Sequence, residues 1–215
     1  GWGGFGLPTL YLGVSMATSV VQIVNNALVK IGANAILTLT EDSEAARAAN
    51  LIYEQVRDAC IRDHVWNFAV NRVELAQNSA APAFEFSYQY NLPSDCLRVL
   101  QMENMDMFYQ VEGGKLLTDE GTAKILYLAR VEDVNLFDSM FVEALSARIA
   151  AELCVTLAES NTLYSNMMEM YQRKLSDARS MDAQESGYRE IVADTWLDSR
   201  INYSGGAGVS VNGNP

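Results

Sequence analysis

The sequence predicts a mainly α protein: a four-helix bundle carrying a small antiparallel β insert and an extended C-terminal tail. Three observations predict it. Four stretches repeat apolar residues at the three-four spacing of one helical face. Between the second and third of them, from about Phe68 to Arg130, the period falls to two, the spacing of strands. After Ser186-Gly187 neither period survives, and the last dozen residues are a tail composition of Gly, Ser, Asn and Val. The expected division is an N-terminal extension at 1–15, helices one and two at 16–66, the β insert at 67–131, helices three and four at 132–186 and the tail at 187–215.

The first helix begins at Thr18 or Ser19, and Val20, Ile23, Val24, Ala27, Leu28 and Ile31 form its apolar face. Gly32 is the expected stop, and Ala33 to Leu39 reads as a short apolar link. The second helix starts near Ser43, with Glu41, Asp42 and Glu44 around its positive end. Ala45, Ala49, Ile52, Val56, Ala59 and Cys60 form its buried stripe, and it ends around His64.

Phe68, Val70, Val73 and Leu75 then suggest a strand, and Phe84, Phe86, Tyr88 and Tyr90 alternate as the aromatic face of another. Leu97 to Met102 and Lys124 to Leu128 read as strands. Gly113-Gly114 reads as a hairpin turn between Phe108–Val111 and Lys115–Leu117. The third helix returns near Asp138 and is apolar almost all round from Met140 to Ala158, the pattern of a central helix. After a break at Ser160-Asn161 the fourth runs to about Asp182, with Tyr164, Met167, Met168, Tyr171, Leu175 and Ala178 inward.

Composition narrows the function. The chain has 215 residues, 49% hydrophobic and 20% charged, as expected of one globular core. Its net charge is −12, which argues against sequence-independent nucleic-acid binding, because that needs a basic face. Three scattered cysteines (Cys60, Cys96, Cys154) and one histidine fit neither a disulfide framework nor a zinc site; two of the cysteines fall on apolar helix faces, so buried structural thiols in a reducing compartment are the better reading. No apolar run is long enough to span a membrane. Gly1 to Ser15 is apolar but lacks the positive start of a secretory signal. Met16 reads as a natural start; the segment before it reads equally as an upstream in-frame extension, a cloning remnant or a true arm.

Chemistry-bearing patterns are sparse, and neither a catalytic residue nor a cofactor or metal site is expected. His64 lies at a helix end beside Trp66 and reads as a cap; with Phe68 these residues form the expected hinge between bundle and sheet. The carboxylate pairs Glu41/Asp42, Glu103/Asp106, Asp119/Glu120 and Glu132/Asp133 fall in turns or helix starts, where solvated caps are the ordinary reading. Asp119-Glu120-Gly121 lacks the alternating ligands of a calcium loop, and no phosphate-loop motif is present. Tyr188, Ile191, Trp196, Leu197 and Ile201 are apolar punctuation in a segment that cannot form a core alone, so it is either disordered or docked on a partner.

One stretch supports a family resemblance. Ile31-Gly32, the link with Leu37 and Leu39, the Asp42–Ala46 helix start, and Trp66-Asn67-Phe68-Ala69 followed by Arg72 and Leu75 resemble the tail tubular protein A family. These are the head-to-tail adaptors of short-tailed, podovirus-type bacteriophages. The family often shows His-Pro-Trp-Asn-Phe-Ala; here Val65 stands where the proline would fall. The layout agrees over about Met16 to Ala183, the specific motifs over Ala27–Leu75. The resemblance implies a structural virion protein of the tail or neck, made in the host cytoplasm and assembled as a ring of twelve between the portal and a tail nozzle of tail tubular protein B type. Its tail would reach the portal through Tyr188, Ile191, Trp196, Leu197 and Ile201, and DNA would leave through the lumen without specific binding. An acidic channel wall would not hold the passing phosphates. Two other readings stand beside it: a peptidoglycan-degrading virion protein using two carboxylates from loops of the sheet region, and a cytoplasmic helical module that binds a protein partner.

Overall fold

The computed structural model describes residues 19–185, in the order α1 (Val20–Lys30), α2 (Glu44–Asp63), β1 (Val70–Glu74), β2 (Tyr88–Asn91), β3 (Cys96–Met102), β4 (Tyr109–Glu112), β5 (Lys115–Thr118), β6 (Lys124–Ala129), α3 (Ser139–Leu157) and α4 (Asn161–Glu185). Of the described residues, those from Ser19 to Asp182 belong to one compact unit; from Ala183 on, only the end of α4 is described.

The helix ends follow from local chemistry. Ser19 Oγ accepts the amide of Gln22 (3.1 Å), Ser43 Oγ that of Ala46 (3.2 Å) and Asp138 Oδ1 that of Met140 (2.7 Å). Each cap satisfies a first-turn N–H that has no partner inside the helix. Gly32 takes φ +73° after α1, which lets the Ala33 amide turn back to the Leu28 carbonyl. The hairpin joining β4 to β5 needs positive φ at both central residues, and Gly113 (+55°) and Gly114 (+75°) supply it.

The expectation of a mainly α four-helix bundle is overturned. The six strands form two three-stranded antiparallel sheets, ordered β1-β6-β3 and β2-β5-β4, so the fold is mixed α and β. The first sheet is no appendage, because its central strand β6 is buried on both faces. Leu128 of β6 joins the helical core, with Val70, Leu97 and Leu100 packed against it. From the other face Ile125, Tyr127 and Ala129 pack with Tyr90 and Leu116 of the second sheet. The result is helices, then sheet, then sheet. In β3 the side chains facing the second sheet are Cys96, Val99 and Met102, three apart rather than two. Register shifts at Cys96/Arg98 and Val99/Gln101 explain this, since each bulge adds one residue without changing the face.

The helical layer centres on α3, which is buried at Phe141, Leu145, Ile149 and Leu153 on one side and at Ala144, Ala147, Ala151 and Cys154 on another, and packs against both α1 and α2. Ser146 Oγ donates to the Ile23 carbonyl of α1 (3.3 Å). α4 lays Met167, Tyr171, Leu175 and Ala178 on the same core. One strand is shorter than the alternation predicts. Phe84 to Ser87 lies outside β2, because Glu85 adopts φ +72° and the Phe86 amide bonds back to the Phe84 carbonyl (2.9 Å).

Candidate functional site

The residues expected at the junction of helices and sheet are brought together. His64 stands at the C-cap of α2 in extended backbone, and a turn of 3-10 helix, Asn67–Ala69, leads into β1. Trp66 is fully buried, and its indole N–H donates to the Cys60 carbonyl at 3.0 Å, satisfying one of the last-turn acceptors that a helix leaves without partners. Its ring meets Phe141 edge-on (centroids 5.0 Å) and His64 edge-on (4.9 Å), and Phe68 packs between Phe141 and Phe137. The Trp-Asn-Phe-Ala stretch is therefore the point where α2, α3 and the sheet are fastened.

A second fastening joins α4 to α2. Tyr171 donates its hydroxyl to Asp63 Oδ2 at 2.5 Å, Arg179 donates to the Asp63 carbonyl at 3.0 Å, and the Arg148 guanidinium lies 5.6 Å from the Tyr171 ring centre. Burial raises the Tyr171 phenol, helped by the neighbouring Cys60 and Asp63. Burial likewise pushes the Cys60 thiol up to about 12, so it is no nucleophile near neutrality. Nothing in the sequence pointed to this pairing, because its partners lie 108 residues apart.

The link between α1 and α2 is held from two sides. Asn25 donates to the Ile36 carbonyl (2.9 Å) and accepts the Ile36 amide (2.8 Å), while Ile36 itself is buried. Glu41 Oε2 accepts the amides of Leu37 (2.7 Å) and Thr38 (3.4 Å), and the Leu37 bond leads the causes that lower its pKa. Between these clamps Leu37 projects with 88% of its surface exposed. On the outer sheet and its loops Phe84, Met105, Phe108 and Val111 are exposed as well. The aromatic alternation placed Phe84 on the aromatic face of a strand, whereas the turn at Glu85 leaves it outside β2 and exposed.

Several carboxylates of the pairs have partners within the chain. Glu103 bridges to Lys124 (3.0 Å), and Glu120 accepts from the Asn104 side chain (2.8 Å); both line one shallow cleft with Thr122. Asp133 accepts the Asn135 amide, and Asp42 pairs with Arg47. Among the described residues all three cysteines are free, no cluster of three or more His, Cys, Asp or Glu is arranged to hold a metal, and no helix is long and apolar enough to cross a membrane. Tyr188, Ile191, Trp196, Leu197 and Ile201 lie outside the described residues.

No protein-family model matches the chain, and no curated protein matches it. The family resemblance therefore rests on the residues between Ala27 and Leu75 and on the order of elements.

Proposed function

We propose that this chain is a non-enzymatic structural adaptor that assembles as a ring, twelve copies in the adaptor reading, between a phage portal and its tail nozzle. The observation that carries the reading is Leu37. A singly exposed leucine needs no explanation. One whose own amide is held by Glu41, and whose preceding residue Ile36 is held by Asn25, is preorganised for contact, so little entropy is lost when a partner covers it. Exposed apolar residues also occur on the opposite layer, around Phe108 and Val111. Two different sticky surfaces on one protomer suit head-to-tail association, which closes into rings. In this reading the helical layer makes the side-to-side contacts and the outer sheet meets the nozzle. The segment carrying Tyr188, Ile191, Trp196, Leu197 and Ile201 docks on the portal, and DNA passes an acidic lumen.

Native mass spectrometry and negative-stain imaging of the full chain, alone and with the portal ring from the same genome, test this. Rings on the portal are expected, lost in Leu37→Asp while the isolated chain keeps its unfolding midpoint. A chain that stays monomeric or dimeric in the presence of the portal, or a deletion of residues 187–215 that binds the portal unimpaired, would overturn it. A glycan-hydrolase reading comes second, because Glu103 and Glu120 line one cleft. A zymogram band that disappears in Glu120→Gln would favour it.

A further inference from the structure

We infer that the outer face of the second sheet carries a binding site for a neutral saccharide, in the cleft between the 82–86 turn and the β4–β5 hairpin. The cleft has a volume of about 440 Å³, inside the roughly 300–1,000 Å³ range of small-ligand sites. Its floor is Leu117, Phe86 and Gln89, all about nine-tenths buried. The exposed Phe108 stacks with Phe86 (centroids 5.8 Å, planes 14° apart).

The rim is built at a cost. Glu85 sits at φ +72°, a conformation that side-chain-bearing residues rarely adopt and that persists where the surroundings enforce it. The turn it makes drives Phe86 inward and leaves Phe84 at the rim with 80% of its surface exposed. An aromatic side chain held out beside an apolar floor offers a flat surface to C–H groups.

The polar groups decide which ligand fits. Lys115 spends one of its three N–H donors on Gln89 Oε1 (3.2 Å), and Gln89 Nε2 is anchored on the Ala80 carbonyl (2.8 Å). Two Lys115 donors therefore remain for a ligand, and Glu85 and Glu112 at the same rim offer only acceptors. The ammonium opposes a cationic ligand, and the two carboxylates oppose a phosphate or carboxylate. A neutral sugar ring meets all of these demands. Its hydroxyls both donate and accept, and its C–H face lies on an aromatic ring. The cleft is separate from the one lined by Glu103 and Glu120, so this inference does not rest on the hydrolase reading.

Saturation-transfer NMR on the full chain with cellobiose and with N,N′-diacetylchitobiose tests the assignment, with glucuronic acid and glucosamine as charged comparisons. Saturation of the C–H protons of one sugar face is expected for at least one neutral disaccharide. Titration calorimetry should show binding about tenfold weaker in Phe84→Ala, the loss of one aromatic face. Lys115→Met should weaken binding as well, and both variants should keep the wild-type unfolding midpoint. No saturation with either neutral disaccharide, undiminished binding in Phe84→Ala, or preference for a charged sugar would overturn the inference.

Discussion

Replacing Trp66 should do more damage than any other single substitution at the junction, and the structure sets the size. The indole is 2% exposed and touches the ring of Phe141 on α3 as well as those of its chain neighbours His64 and Phe68. Truncating a buried tryptophan to alanine costs about 3–5 kcal/mol in lost transfer energy and cavity. Leaving the Cys60 carbonyl without its N–H donor adds about 1–3 kcal/mol unless water enters. The sum, roughly 4–8 kcal/mol, approaches the whole stability of a typical domain, about 5–15 kcal/mol. Trp66→Phe keeps most of the apolar volume but removes the donor, so it should cost about 2–4 kcal/mol. Urea unfolding followed by far-UV circular dichroism measures both, since the signal of Trp66 itself is lost on substitution. Trp66→Phe should shift the midpoint with an unchanged slope. A shift worth less than about 0.5 kcal/mol, within the range of an ordinary surface change, would refute the idea that this residue fastens helices to sheet.

Three further outcomes follow from buried hydroxyls and the thiol. Tyr53 Oη is the one buried side-chain polar atom without a hydrogen-bond partner among the described residues. Tyr53→Phe should therefore stabilise the chain by about 1 kcal/mol, visible as a higher thermal midpoint. Tyr171→Phe removes the bond to Asp63 and should cost about 1.5–3 kcal/mol, the usual worth of a hydrogen bond to a charged group, checked by the same urea titration. Burial raises Cys60 from 9.0 to about 12 and Tyr53 from 10.0 to about 12, and raises Tyr171 too. The folded state thus keeps these protons at pH values where the unfolded chain releases them. Their contribution is complete below about pH 9 and is lost as pH rises toward 12, at about 1.4 kcal/mol per pH unit for each group in its window. Thermal midpoints should fall steadily above about pH 9, and Cys60→Ala should flatten the first part of that fall.

The local grammar of the chain was legible before any coordinates. Ser19, Ser43 and Asp138 mark helix starts because a short polar side chain can reach a first-turn amide without help from the rest of the fold. Gly32 and Gly113-Gly114 mark turns because positive φ is cheap only for glycine. The apolar run of α3 foretold its central place for the same local reason. The aromatic junction was legible as residues but not as contacts. Trp66 and Phe68 were singled out, yet their partner Phe141 lies more than seventy positions away in sequence.

What only the tertiary structure decided is the weight of the sheet and the location of the surfaces. Short strands with mixed residues read as an insert, because periodicity reports one buried face and is silent about two. β6 buries both, and the bulges of β3 break the alternation that would have betrayed it. Phe84 continues a perfect alternation but stands in solvent, because the positive φ of Glu85 turns the chain before the strand begins. Likewise Leu37 is one leucine in an apolar link by sequence, and stands out only because Glu41 holds its amide and Asn25 holds Ile36 beside it. The sequence by itself determined where elements start, stop and turn, since those depend on neighbours a few residues apart. Which faces meet, and which stay open for a partner, depends on residues that only folding brings together.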